Sequence, residues 1–108
     1  MWELEYLPEA KEDLRRLDNS QRLRVAKALE KVRANPQSSD EGGFGKPLGN
    51  KRVSQLSGLM KIKLKNEGIR IVYKLERTES CMRVIVIGAR SDNEVYREAV
   101  KRRQSYGL

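Results

Sequence analysis

Residues Lys61–Lys74 read KIKLKNEGIRIVYK. Apolar and polar residues alternate on both sides of Asn66-Glu67-Gly68. A period of two marks a half-buried strand, and a glycine in the intervening loop supplies the positive φ of a bulged hairpin turn. The stretch therefore predicts an antiparallel hairpin, with strands over Leu59–Lys65 and Ile69–Leu75. Alternate side chains of a strand share a face. Lys61, Lys63 and Lys65 thus point one way, while Met60, Ile62 and Leu64 point to the core. Across the hairpin, Arg70 and Lys74 join the polar face. A one-sided sheet needs only some polar residue at each outward position, yet nearly every such position here is Lys or Arg.

The flanking sequence supplies the rest of an α+β domain. Trp2 to Leu7 alternates, with Trp2, Leu4 and Tyr6 on one face, and reads as a short strand. Pro8 suits the first turn of a helix, and Ala10, Leu14 and Leu17 recur at helical spacing. Asp18 and Gln21 form a candidate capping box for a second helix reaching about Ala34, striped by Val25, Ala28, Leu29 and Val32. Its junction with the first helix predicts a helical hairpin, with Lys11, Arg15, Arg22, Lys27 and Lys31 on its solvated outer face. Asn35-Pro36 ends that helix. The segment up to Gly58 holds five of the eight glycines and two of the three prolines, and reads as a long loop that is mobile or serves a partner.

Beyond the hairpin, Met82–Ala89 is nearly all apolar, the mark of a central strand. Ser91 and Glu94 form a second candidate capping box, opening a helix with Val95, Tyr96, Ala99 and Val100 on its apolar side. Lys101-Arg102-Arg103 ends it with charges that suit a helix C-terminus. The expected order is βααβββα: a helical hairpin on a mostly antiparallel four-stranded sheet, then a C-terminal helix, forming one domain over residues 1–108.

Composition narrows the function. The chain has 108 residues, 23 Lys+Arg against 15 Asp+Glu, and a formal charge of +8. A charge of that size on a small domain points to an anionic partner: nucleic acid, an acidic protein or a membrane surface. The single cysteine, Cys81, cannot form an internal disulfide, which favours a cytoplasmic location. No apolar run approaches the ~20 residues of a membrane span, and no signal-peptide pattern opens the chain. Histidine is absent, so the commonest general base and metal ligand is missing. Any chemistry falls to Lys, Arg, Tyr or the carboxylates.

Arg90 stands at the exit of the apolar strand, and Tyr96 about one turn into the last helix. With the strands as neighbours, Lys61, Lys63, Arg70, Arg90 and Tyr96 converge on one concave site. Pattern alone leaves three readings of this face. It is a solvated surface with lysines that guard against aggregation, a plain RNA-binding face, or a catalytic one. Tyr96 likewise reads either as an aromatic packing helix on sheet or as a member of the site.

The segments KIKLKNEGIRIVYK and VIGARSDNEVYREAVKRR resemble the RelE family of toxins, the ribosome-dependent mRNA endonucleases of RelBE-type toxin–antitoxin pairs. The resemblance extends over most of the chain. LEYLPEAKEDLRRL is similar to the family's opening strand and helix, and KPLG at Lys46–Gly49 to its Leu-Gly loop. It implies a catalytic set of Lys61, Lys63, Arg70, Arg90 and Tyr96, with Lys65, Lys74, Arg97 and Lys101 as further RNA contacts. The departures are a longer loop over Gln37–Gly58 and Asp92, which stands where some family members carry a basic residue and is expected to weaken one RNA contact.

The reaction so implied is attack of a ribose 2′-hydroxyl on the adjacent phosphate, without a metal or other cofactor. Arginine forks suit the phosphorane-like charge. Tyr96 is the implied base, its phenol expected to be lowered by the surrounding cations, with Lys63 as acid and Lys61 polarising the phosphate or activating the base. The lysines remain alternative bases. The implied partners are a RelB-like antitoxin and the small ribosomal subunit with its ribosomal RNA and mRNA. No membrane is involved, and the toxin alone is expected to be a monomer. Two rivals share the fold: a ParE-like gyrase poison, and a non-catalytic module that binds RNA or antitoxin.

Overall fold

Every residue of the strand Cys81–Gly88 is buried except Arg83, because it runs between two neighbouring strands with helices over both faces. The computed structural model describes residues 2–48 and 54–108. The elements are β1 (Glu3–Tyr6), α1 (Pro8–Arg16), α2 (Asn19–Arg33), β2 (Lys46–Pro47), β3 (Leu59–Leu64), β4 (Ile69–Glu76), β5 (Cys81–Gly88) and α3 (Asp92–Tyr106). The sheet order is β1-β5-β4-β3-β2. β1 pairs parallel with β5, and the other pairs are antiparallel.

The α+β class and the element types follow the sequence, with one strand more than expected. The sheet has five strands rather than four because Lys46-Pro47 pairs with Met60 and Lys61 of β3. Two residues carry no readable periodicity, and their extended form comes from the partner strand. The described part of the 36–58 segment also contains 3-10 turns at Ser39–Glu41 and Ser54–Leu56. It is anchored rather than loose at its start. The buried Tyr73 hydroxyl donates to Pro36 O at 2.8 Å, and the Phe44 and Gly45 amides bond to Asn35 O and Gln37 O. Residues 49–53, which include Gly49 of the Leu-Gly motif, lie outside the described residues.

The predicted caps form where they were read. Asp18 and Gln21 make the reciprocal capping box of α2, with Gln21 N donating to Asp18 Oδ1 at 2.8 Å. Ser91 Oγ accepts from Glu94 N at the start of α3, while the Glu94 carboxylate accepts from the Ser91 hydroxyl and not from its amide. Gly68 has φ +66° in the β3–β4 turn, a region that an L side chain enters only at a cost.

Strand register sorts the sheet into two faces. Opposite residues on neighbouring strands point to the same side. The pairs Lys63↔Arg70, Lys61↔Val72 and Arg70↔Gly88 therefore define one face. α2 runs along the other, where Ala28 and Val32 line a cleft with Ile62 and Leu64. α3 crosses the Arg70 face. A Cβ built on Gly88 would lie 3.1 Å from Val95 Cγ2, so the helix docks here more tightly than a side chain would allow without a shift of a few tenths of an ångström. Between the layers lies a core that includes Leu29, Leu59, Ile71, Val72, Tyr73, Met82, Val84, Ile85, Val86 and Val95.

One buried cluster was not foreseen. Arg102 was expected among the charges ending the last helix; α3 instead continues to Tyr106, and Arg102 is 8% exposed. Its Nη1 lies 2.6 Å from Asp13 Oδ2 and 2.9 Å from Ile85 O, and its Nε lies 2.8 Å from Glu98 Oε2. Asp13 Oδ2 also accepts from Ile87 N at 3.0 Å. β1 pairs with β5 only as far as Val84, and beyond that point these two side chains satisfy the strand's open edge. A buried pair so fully hydrogen-bonded joins α1, α3 and β5 and tolerates no loss of one partner.

Candidate functional site

β3 brings Lys61 and Lys63 to the α3-covered face, and β4 places Arg70 directly opposite Lys63. The β5–α3 connection carries Arg90, and the first turns of α3 carry Asp92 and Tyr96. Arg70 is the hub. Its Nη1 donates to Arg90 O at 2.7 Å and to Gly68 O at 3.2 Å, and its Nε donates to Asp92 Oδ1. The other carboxylate oxygen, Asp92 Oδ2, lies 3.1 Å from Lys63 Nζ. One carboxylate thus bridges two cations from adjacent strands.

Of the residues singled out by sequence, Lys63 and Arg70 meet at the Asp92 carboxylate, and Tyr96 lies near enough to feel the charges of Asp92 and Arg70. Tyr96 is half-buried, and its hydroxyl is shielded from solvent with no hydrogen-bond partner. Lys61 lies two residues along β3 on the same face, opposite Val72, and also borders the α2–β3 cleft of about 240 Å³. Arg90 contributes its carbonyl to Arg70, while its side chain is exposed and makes no ion pair among the described residues. The expected outer contacts Lys65, Arg97 and Lys101 are exposed. Lys74 is drawn toward Glu76, 3.6 Å away.

Two expectations about this site change. The cations were expected to lower the Tyr96 phenol. In the structure it is raised, chiefly by burial and then by the nearby Asp92 charge, with Arg70 opposing. The carboxylate cancels part of the cationic field that the basic residues would otherwise impose. Asp92 was read as a lost basic contact; it is instead an ionised member of the site. The hydrogen bond from Arg70, followed by that from Lys63, holds its carboxyl below the usual aspartate range. The readable signal was an acidic residue one position past a helix cap, where the helix N-terminus favours negative charge. Its partners lie 22 and 29 residues away, beyond any local pattern.

Residues 4–94 match the family described as the ParE toxin of the type II toxin–antitoxin system parDE. No curated protein matches the sequence. Among solved structures, a double mutant of the Escherichia coli toxin RelE in its free state is 30% identical with a TM-score of 0.73, covering 94% of this chain and 96% of that one. The isolated E. coli RelE toxin is 29% identical with a TM-score of 0.69, covering 94% and 98%. The same double mutant in complex with a peptide of the antitoxin RelBc is 30% identical with a TM-score of 0.65, again covering 94% and 96%. The chain belongs to the RelE/ParE superfamily of type II toxins, matching the ParE family in sequence and carrying the RelE fold.

Proposed function

We propose that this protein is a cytoplasmic, ribosome-dependent endoribonuclease that cleaves mRNA in the A site, held in check by a RelB-like antitoxin. The observation that carries the reading is the Lys63–Arg70 pair gripping a two-oxygen anion beside an unpartnered phenol. A backbone phosphate presents two non-bridging oxygens to such a pair in the way a carboxylate does. Arg70 is already oriented by two carbonyls, so little reorganisation accompanies charge development.

In the proposed reaction the ribose 2′-oxygen attacks phosphorus and loses its proton to a base. The P–O5′ bond breaks, and the departing 5′-oxygen takes a proton. The products are a 2′,3′-cyclic phosphate and a 5′-hydroxyl, and the cations already in place require no metal. Lys63 and Arg70 stabilise the phosphorane-like charge, Arg90 reaches the same phosphate from the β5 exit, and Lys63 is the proton donor. Tyr96 takes the 2′-proton only as phenolate. Its raised pKa leaves that form scarce at neutral pH, and Lys61 on the same face is the second candidate base. The exposed Lys65, Arg97 and Lys101 suit contact with ribosomal RNA or mRNA phosphates. Antitoxin recognition is supported by the relative solved with an antitoxin peptide.

Purified protein added to programmed ribosomes, with cuts mapped by primer extension, tests this directly. Wild type should cut A-site mRNA, and Arg90→Ala and Tyr96→Phe should cut far more slowly. Uncut message with wild type rejects the nuclease reading, and equal cutting by all three rejects the residue assignment. The ParE family match supports a second reading, inhibition of gyrase supercoiling without a need for these side chains. A supercoiling assay in parallel separates the two.

A further inference from the structure

Asp92 is bound in an unusual way for a surface carboxylate. Its two oxygens go to two different cations, Arg70 Nε and Lys63 Nζ, on neighbouring strands. It is the first residue of a 15-residue helix, and its side chain is 40% exposed. The ion pairs, which solvent screens, are its main tether, and exposed pairs of this kind are weak. Arg70, by contrast, keeps the Arg90 and Gly68 carbonyls on Nη1 whether or not Asp92 stays. Arg70 is thus held independently of the carboxylate, whereas the carboxylate is held by ion pairs open to solvent.

We propose that Asp92 is an internal stand-in for an RNA backbone phosphate. In the free protein its carboxylate fills the oxyanion position between Lys63 and Arg70, and RNA binds by displacing it. This deepens the proposed function and rests on that reading of the site as an RNA phosphate site. The carboxylate lowers affinity in two ways: its contacts must be broken, and its charge remains close to the arriving phosphate. Once released it also recruits a counter-ion, which offsets about one of the counter-ions that RNA binding sets free. Asp92 is thus a determinant of RNA affinity. Tyr96, whose phenol feels both Asp92 and Arg70, faces a different anion in the complex from the one it faces alone.

The test is binding of the full chain to a single-stranded RNA oligonucleotide made uncleavable by 2′-deoxy substitution, read by fluorescence anisotropy over a salt series. Asp92→Asn should bind about fivefold more tightly than wild type, with a log K against log salt slope steeper by up to ~0.7. Asp92→Ala should match it, since neither the charge nor its contacts remain. Glu79→Gln changes the net charge equally. Glu79 sits in the turn joining β4 to β5, past the end of β4 at Glu76, itself six residues along the strand from Arg70 and so roughly 20 Å away; that variant should stay within about twofold of wild type.

Asp92→Asn no tighter than Glu79→Gln overturns the proposal. So does Asp92→Ala weaker than wild type with an unchanged melting curve, because Asp92 would then be holding Lys63 and Arg70 in place. Absence of binding by both wild type and Asp92→Asn also overturns it. The outcome is separable from the nuclease reading. Tighter binding by Asp92→Asn with no cutting by wild type on ribosomes leaves the displaced carboxylate standing and removes the reaction; cutting by wild type without tighter binding does the reverse.

Discussion

The molecule contains two arginine–aspartate pairs that share a chemistry and differ in almost everything else. Arg102–Asp13 has side chains 9% and 6% exposed, and both residues are also bonded to β5 backbone. Arg70–Asp92 has side chains 25% and 40% exposed, and its carboxylate is shared with a lysine. In the first pair Arg102 makes four hydrogen bonds and Asp13 accepts three, all inside the protein, so neither partner can leave without stranding the other in a low dielectric. In the second, water stands ready to solvate the aspartate, and only the arginine is held by backbone carbonyls. Burial, and not the identity of the charges, separates a clamp from a replaceable contact. It also fits where each lies: the clamp at the far end of α3, the exchangeable pair at its start, beside Tyr96.

The sharpest way to break this comparison is at the clamp. Asp13→Ala should lower stability by about 3–5 kcal/mol, as expected when one partner of a buried pair is removed, visible as a large drop in melting temperature. Replacing both Asp13 and Arg102 by apolar residues of similar volume should recover much of that loss. A single-site loss below about 1 kcal/mol would show that the pair is solvated after all.

Next in size is the effect on turnover. Tyr96→Phe should slow ribosome-dependent cleavage by about 10²–10⁴-fold, the usual contribution of a positioned acid or base, with RNA affinity nearly unchanged. The pH dependence sharpens the assignment. Burial raises the Tyr96 phenol, so a Tyr96 phenolate base gives a rate that climbs about tenfold per pH unit across pH 7 to 9. The slope disappears in Tyr96→Phe. A profile that stays steep in that variant moves the base to a lysine.

The same shifts bear on alkaline stability. Tyr96 and Tyr73 both have phenols raised by burial. A group whose folded pKa lies above its unfolded value favours the folded state below the unfolded pKa, near 10, and loses that contribution as pH rises through the folded value. Melting temperature should therefore fall above about pH 10, and less steeply in Tyr73→Phe, whose lost Pro36 hydrogen bond lowers it at every pH below that. The smallest expected effect is on the fold at Asp92. Asp92→Asn should change stability by less than about 1 kcal/mol after solvent screening, in contrast to Asp13. A loss at Asp92 as large as that at Asp13 would erase the distinction between the two pairs.

Legibility followed sequence separation. The β3–β4 hairpin, its Gly68 turn, the Asp18–Gln21 box and the Ser91 cap are each specified within a few residues, and the structure shows each in place. β2 was missed because two residues owe their extended form to the pairing with β3. The candidate site was legible as a set of residue types on a strand face. Its electrostatics were not. The sign of the Tyr96 shift depends on Asp92 turning toward Lys63 and Arg70, and a carboxylate at a helix start reads the same whether it faces solvent or a cation.

Alternation and caps fix by themselves the three helices and the four longer strands, and which strand face is cationic. Those features are local, because backbone geometry dictates side-chain direction within one or two turns or pleats. Only the tertiary structure decided that Arg102 is buried against Asp13, 89 residues away, and that the cationic face already holds a carboxylate of its own. Both are matters of burial and long-range pairing, settled when helices from opposite layers meet the same strand.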